Sequence, residues 1–262
     1  MAETTTPSKF PEVQGGGSLI IAWQVKGKKV LVVGGGEVAA GRILHLLNAD
    51  ALVTVVCPTS GLNPEVAHRV AHNQVTHINR TFQPSDLDDT TMVLVAVDDP
   101  AVSTLIYNLA HSRRIPANIA DVPPECDFYF GSVHRDGPLQ IMVSTNGKGP
   151  RLASTIRKFI ASKLPRDAGK AIENVGALRV KLRQIAPRQE EGPKRMAWMT
   201  KVSDAYSWDD MCGLTEEDMG NLLKWYASGK VPSLDVLKSM RGNADVSQLD
   251  VFDGSFGFSV GA

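Results

Sequence analysis

Neither sign of charge is in excess. Lysine and arginine number 28, aspartate and glutamate also 28, so the 262-residue chain has no net charge. A protein that grips a nucleic-acid backbone normally carries a basic surplus, and no block of like charges forms a polybasic arm. A nucleic-acid partner is not expected. Cysteine is equally sparse: Cys57, Cys126 and Cys212 stand far apart, with no CxxC pair and no histidine at ligand spacing. That argues against a disulfide framework and against a zinc site. His45, His68, His72, His77, His111 and His134 are scattered, and suit helix faces and loops better than a metal. No apolar run approaches the ~20 residues of a membrane span, so no membrane partner is expected. The N-terminus MAETTTPSKFPEVQGGGS lacks both a hydrophobic signal core and the arginines of a transit peptide. It reads as a loose polar leader on a cytoplasmic protein. What the chain does have is 43% hydrophobic and 21% charged residues, enough for more than one packed unit.

The first half alternates short β-branched runs with helical patterns. KKVLVV (28–33), ALVTVV (51–56), QVTHINR (74–80), TMVLVAV (91–97) and PANIA (116–120) read as strands. EVAAGRILHLLNA (37–49) and PAVSTLIYNLAHSRR (100–114) read as helices, the second opened by proline. This rhythm predicts an α/β unit with a parallel sheet covered by helices. After Asp121 the pattern changes. DFYFGSV and PLQIMVST look like a strand pair joined across HRDG, with Asp136-Gly137 as the turn, and a helix follows over 150–164. Beyond 166 strand signals vanish. Ile172, Val175, Leu178, Leu182 and Ile185 recur at helical spacing, opposite Arg179, Lys181 and Arg183. Over 215–229, Thr215 and Asp218 resemble a capping box.

VLVVGGGEVAAGR puts Gly34, Gly36 and Ala39 in G-x-G-x-x-A spacing between a strand and a helix, the setting that makes a dinucleotide turn credible. Gly34 permits the tight turn, Gly36 the close approach of backbone N–H groups to a pyrophosphate, and Ala39 close packing of helix on strand. Gly34, Gly35, Gly36, Glu37, Val38 and Ala39 are therefore candidate cofactor-binding residues. The alternative is a plain βα turn that needs glycine for backbone reasons alone. The acid that usually ends the second strand and holds the adenosine ribose is missing; Cys57 and Pro58 stand there. Thr59 and Ser60 suit either ribose hydroxyls or a 2′-phosphate, so the motif leaves NAD and NADP both open. VAVDDP (95–100) ends the fourth strand at the ligand-bearing edge of such sheets, placing Val97 and Asp98 beside the nicotinamide half. Asp98 and Asp99 also suit capping before Pro100, which the residues favour.

NIADVPPECDFYF (118–130) leaves a carboxylate, Asp121, at the carboxyl edge of the fifth strand and then turns sharply. From position alone, Asp121 either meets a ligand or bonds the turn at Val122-Pro123-Pro124. GGGEVAAGR, NIADVPPECDFYFGS and LQIMVSTNGKGPRLASTIR, in that order, resemble the sirohaem synthase family, with the strongest likeness over residues 19–165 and its fungal bifunctional branch nearest.

The resemblance implies NAD-dependent oxidation of precorrin-2 to sirohydrochlorin, followed by insertion of ferrous iron as a substrate to give sirohaem. It implies that Asp121 is the family's catalytic aspartate, used in both steps, and that the tetrapyrrole supplies the iron's ligands. For a substrate with eight carboxylates, Ser144, Thr145, Asn146, Lys148 and Arg151 at a helix start are the candidate binding residues. Asp127 is a secondary candidate, with strand-end hydrogen bonding as its other reading. The resemblance also implies a homodimer built through the middle segment. The expected organisation is a leader (1–17), an NAD-binding Rossmann domain (18–122), a small α+β dimerisation and substrate segment (123–165), a helical domain (166–240) and a flexible tail (241–262). Two narrower readings stay open: a dehydrogenase without chelatase activity, and a non-enzymatic NAD-sensing module.

Overall fold

The structure is a computed structural model, and it describes residues 10, 11, 13, 15–242 and the backbone of 251 and 252. Most of the expected leader and tail lies outside the described residues. Contacts group the chain into two units, Met1–Phe130 and Gly131–Ala262.

The first unit runs β1 (Lys29–Val33), α1 (Glu37–Leu47), β2 (Leu52–Val56), α2 (Pro64–Ala71), β3 (Thr76–Ile78), β4 (Met92–Val95), α3 (Pro100–Ser112) and β5 (Ala117–Ile119). The five strands form a parallel sheet in the order β3-β2-β1-β4-β5. Strand alternation sends successive side chains to opposite layers. Val30 and Val32 pack with Ala39, Ala40 and Ile43 of α1, whereas Leu31 and Val33 pack with Ile106 and Ala110 of α3. Both faces of β1 are thus covered, which is why its sequence is a continuous apolar run rather than an alternating one. The helix α2 is additional to the expected elements. Asn63 caps it by accepting from the Glu65 N–H at 2.7 Å, Pro64 opens it, and only Val66 is buried. A single buried residue leaves little periodic signal to read.

Register decides where the site lies. Val33 stands opposite both Val56 and Val95, and Val95 opposite Ile119. Four strands therefore stop in line, and the residues just past their ends, Cys57, Gly34, Ala96 and Ala120, continue the ladder. Gly34 N–H donates to Val56 O at 3.0 Å, Ala96 N–H to Val33 O at 2.8 Å and Ala120 N–H to Val95 O at 2.9 Å. The chain reverses its direction of winding between β1 and β4, and at such a switch point a crevice opens outside the carboxyl ends.

The second unit begins with an antiparallel hairpin, β6 (Ser132–Asp136) and β7 (Leu139–Val143). This corrects the expected strand pair. His134 and Arg135 lie inside β6, and the turn is Gly137-Pro138, with Gly137 at φ +51°. Residues 127–130 are not in this hairpin, because Asp127 and Phe128 are tied to β5 instead. The helices α4 (Pro150–Lys163), α5 (Ala168–Ile185), α6 (Gly192–Ala205), α7 (Trp208–Cys212) and α8 (Glu216–Leu223) follow. A two-residue strand β8 (Val231–Pro232), the helix α9 (Leu234–Ser239) and a second two-residue strand β9 (Val251–Phe252), paired with β8, complete the unit. So short a ladder carries no alternation, which is why no strand is expected there.

The buried stripe of α5 also differs from expectation. It is formed by Ala171, Asn174, Leu178 and Leu182, while Ile185 is exposed at the helix end. Asn174 is buried because its Nδ2 donates to the Met211 carbonyl at 2.8 Å and the Cys212 carbonyl at 3.1 Å, closing the α7 turn against α5. The Thr215–Asp218 capping box is present, with Asp218 Oδ2 accepting from Thr215 N–H at 2.8 Å. Arg241 adds two hydrogen bonds to the same buried carboxylate. Burial opposes the charge on Asp218, but these partners outweigh it and hold the carboxyl below the usual range. No described helix is long and apolar enough to cross a membrane.

Candidate active site

A cavity of about 490 Å³ opens along the aligned strand ends of the first unit. Its floor is the row Gly34, Cys57, Ala96 and Ala120. Above them stand Gly35, Gly36, Glu37 and Val38 from the glycine turn, with Gly61, Val97, Asp98 and Asp121 completing the wall. The size suits a small-molecule site.

Each glycine of the turn has its own reason. Gly34 has φ +110°, and a Cβ there would sit 2.1 Å from the Ala96 carbonyl oxygen, so β1 and β4 approach this closely only without a side chain. A Cβ on Gly35 would meet Leu62 at 2.8 Å and the Gly61 oxygen at 2.9 Å. On Gly36 it would meet nothing, because this residue faces the open cavity. Gly36 is the N-cap of α1 and offers no side-chain bond to the first-turn N–H groups, leaving them directed at whatever the cavity holds. An open cradle at Gly36 beside uncapped N–H groups fits the pyrophosphate of a dinucleotide.

Two of the candidate cofactor residues do not reach the wall. Ala39 is fully buried on the inner side of α1, where its small side chain serves the packing of helix on sheet. Pro58 is exposed and leads into a 3₁₀ turn over Thr59–Gly61. The paired acids before α3 divide their roles. Asp99 caps α3, its Oδ1 accepting from Ala101 and Val102 N–H at 2.9 and 3.2 Å, while Asp98 lines the cavity.

Asp121 projects from a loop folded back along β5 and clasped to it. Asp127 N–H donates to Ala117 O at 2.9 Å, and its Oδ2 accepts from Ala117 N–H at 2.8 Å. The buried Asn118 donates through Nδ2 to the Phe128 carbonyl at 2.8 Å, and the Cys126 thiol donates to the Ile119 carbonyl at 3.1 Å. Phe128 and Phe130 pack against the sheet core. The motif N-x-x-D…C-D-F is thus mostly clasp. Asn118, Cys126, Asp127 and Phe128 hold the loop, and Asp127 takes the strand-end role. Asp121 sits at the tightest point with φ +60°, a conformation aspartate tolerates better than most residues. Among the described residues its carboxylate has no hydrogen-bond partner, so it is not spent on the Val122-Pro123-Pro124 turn. The side-chain bonds of the loop thus hold the Asp121 carboxylate at the edge of the cavity.

Comparison with known proteins places this site in a family. Residues 21–132 match a family described as NAD(P)-binding, 136–163 the central part of the sirohaem biosynthesis proteins, and 165–232 their C-terminal part. The siroheme biosynthesis protein met8 of Schizosaccharomyces pombe is 56% identical over 227 residues, 86% of each chain. The chain belongs to the sirohaem biosynthesis family. The siroheme synthase of Methylobacillus flagellatus is 30% identical over 213 residues, which are 81% of this chain but 44% of that protein. Among solved structures, SirC, a precorrin-2 dehydrogenase, superposes with a TM-score of 0.63 at 22% identity, covering 80% of this chain and all of that one. At that identity the likeness speaks for the fold.

In this sirohaem-family chain two further features bear on the site. Arg42 of α1 lies 4.1 Å over the Phe130 ring, within electrostatic reach of Cys126 and Asp121. Burial lowers its pKa from the usual arginine value, and those two groups oppose the shift. Periodicity gave no sign of it, since Arg42 reads as an ordinary polar position on α1. The candidate substrate residues occupy the second unit, between β7 and α4. Ser144 Oγ accepts from Asn146 N–H at 3.2 Å and Thr145 Oγ1 from Gly149 N–H at 3.2 Å, so both hydroxyls shape the turn. Asn146 adopts φ +49°. Lys148 and Arg151 are exposed at the start of α4. Among the described residues no group of three or more His, Cys, Asp or Glu converges to hold a metal ion.

Proposed function

We propose that the protein oxidises precorrin-2 to sirohydrochlorin with NAD and then inserts ferrous iron, its substrate, to give sirohaem in the cytoplasm. The observation that carries this reading is the carboxylate of Asp121, without a hydrogen-bond partner among the described residues, on the same wall as the glycine turn in a sirohaem-family chain. Oxidation removes a hydride and a proton from the macrocycle. NAD held at Gly34, Gly35, Gly36 and the first turn of α1 would supply the hydride acceptor. Asp121 takes the proton on a carboxylate oxygen that no described residue engages. During insertion the ring nitrogens must shed two protons as they become ligands, and the same carboxylate accepts and passes them to solvent.

The test is direct. Purified protein given precorrin-2 and NAD should form NADH and sirohydrochlorin in equal amounts, and should then speed iron insertion above the spontaneous rate. Unchanged precorrin-2 would overturn the reading. Oxidation without any acceleration of insertion would reduce it to the dehydrogenase alone.

Lys148 and Arg151 are the cations we assign to substrate carboxylates. Replacing both with alanine is expected to raise KM for precorrin-2 by about tenfold with kcat nearly unchanged, the signature of lost uniform binding. Initial rates at saturating NAD check this, and an unaltered KM would remove them from the site.

The protein is further proposed to be a homodimer. Leu152, Ile156 and Phe159 are 59, 37 and 63% exposed along one face of α4, and the cross-strand pair Val133 and Met142 is exposed on the hairpin. Apolar residues spaced four and three apart on an uncovered helix call for a partner surface. Phe159→Glu should shift the mass measured by light scattering from dimer to monomer. A wild-type monomer would refute the assignment.

A further inference from the structure

Dinucleotide folds usually end the second strand with an acid whose carboxylate binds the adenosine ribose. Here Cys57 fills that position and is no substitute. Its thiol is buried against Gly35 and Gly61, each of whose added Cβ would come within 3.0 Å of the sulfur, and burial raises its pKa so that it stays neutral. A carboxylate is nevertheless present on this side of the cavity, delivered from another element. Glu37, the first residue of α1, lines the cavity, and its Oε2 accepts from Asn63 Nδ2 at 2.8 Å.

Asn63 is fixed on two other sides. Its backbone N–H donates to Gly35 O at 2.7 Å, and its Oδ1 accepts from Glu65 N–H at 2.7 Å as the cap of α2. With Oδ1 committed to the helix, Nδ2 can only point at Glu37. The pair ties the Glu37 carboxylate to the loop that follows β2, the place from which the missing acid would act. Oε2 is engaged, while Oε1 has no partner among the described residues and is left to accept a hydroxyl proton. Charge sharpens the point. Among the described residues the cavity wall carries three carboxylates, Glu37, Asp98 and Asp121, and no lysine or arginine.

We propose that Glu37, positioned by Asn63, determines cofactor specificity: it accepts hydrogen bonds from the ribose hydroxyls of NAD and repels the 2′-phosphate of NADP. The proposal rests on the reading of this cavity as a dinucleotide site. Discrimination combines an attractive element, the free oxygen, with a repulsive one, a carboxylate facing a phosphate without a cation to offset it.

The experiment is equilibrium binding of NADH and NADPH by calorimetry, without tetrapyrrole, to wild type, Glu37→Gln and Asn63→Ser. Serine keeps a cap on α2 but has no amide to hold Glu37. Wild type is expected to favour NADH by about a hundredfold, Glu37→Gln to narrow that ratio by at least about tenfold, and Asn63→Ser to narrow it less. Melting temperatures near wild type establish that both variants fold. A Glu37→Gln protein with an unchanged ratio, or a wild type that binds both dinucleotides alike, overturns the role of Glu37 and leaves the cavity's assignment standing. A wild type that binds neither overturns both.

Discussion

Asp121→Asn is expected to slow precorrin-2 oxidation by about 10²–10⁴-fold while NADH binding and melting temperature stay near wild type, because one general base of this kind contributes about that much. Asparagine is the informative replacement. It matches the shape of aspartate and shares its tolerance of positive φ, so the loop at φ +60° keeps its geometry. The clasp does not involve the Asp121 side chain at all. Asn118, Cys126 and Asp127 make its hydrogen bonds, and these survive the change. What disappears is the capacity to accept a proton. Alanine would add about 1–2 kcal/mol of backbone strain in the left-handed region and confuse the two effects. If one carboxylate serves both reactions, iron insertion should fall in parallel with oxidation. Turnover close to wild type in both steps would remove Asp121 from the chemistry.

The parts of this fold that sequence reveals are those whose signal is local. Strands β1 and β4 are covered on both faces, so they appear as nearly unbroken apolar runs, and the glycine turn sits between a strand and a helix that are each legible alone. The capping box at Thr215 and Asp218 spans three residues and is equally plain. What escapes is built from partners distant in sequence or from residues of the wrong type. Glu37 and Asn63 are 26 residues apart, and nothing in either segment announces the pairing. Asn118 and Phe128 meet only because the loop doubles back along β5, and that return also displaces the hairpin from its expected register. Asn174 occupies a buried position in α5 that the aliphatic pattern of Ile172, Val175 and Leu178 passes over, since three carbonyls around α7 need a donor. Position at the strand edge leaves Asp121 two readings, ligand or turn, and only the order of motifs favours the first.

The second large effect separates two glycines two residues apart. Gly34→Ala places a Cβ 2.1 Å from the Ala96 oxygen and 2.8 Å from its carbonyl carbon, at a backbone φ of +110°. The obstacle is backbone of a central strand rather than the end of a flexible side chain, so β1 and β4 must part or the turn must change its conformation. Steric overlap and conformational strain together should destabilise the first unit by at least about 3 kcal/mol. That corresponds to a fall of roughly 6–12 °C in its melting temperature. Gly36→Ala is the opposite case. Its Cβ meets no protein atom, and Gly36 has φ −75°, which alanine adopts freely. The fold should therefore survive with only the small loss of a poorer N-cap residue. The new methyl group, however, occupies the space where backbone N–H groups must approach a pyrophosphate, so NADH affinity should drop by at least about tenfold. Scanning calorimetry and NADH titration on both variants read the two quantities independently. A Gly36→Ala protein that binds NADH as wild type does would mean that the cradle at the start of α1 is not where the dinucleotide's phosphates lie, because the added methyl group meets no protein atom and can obstruct only a ligand.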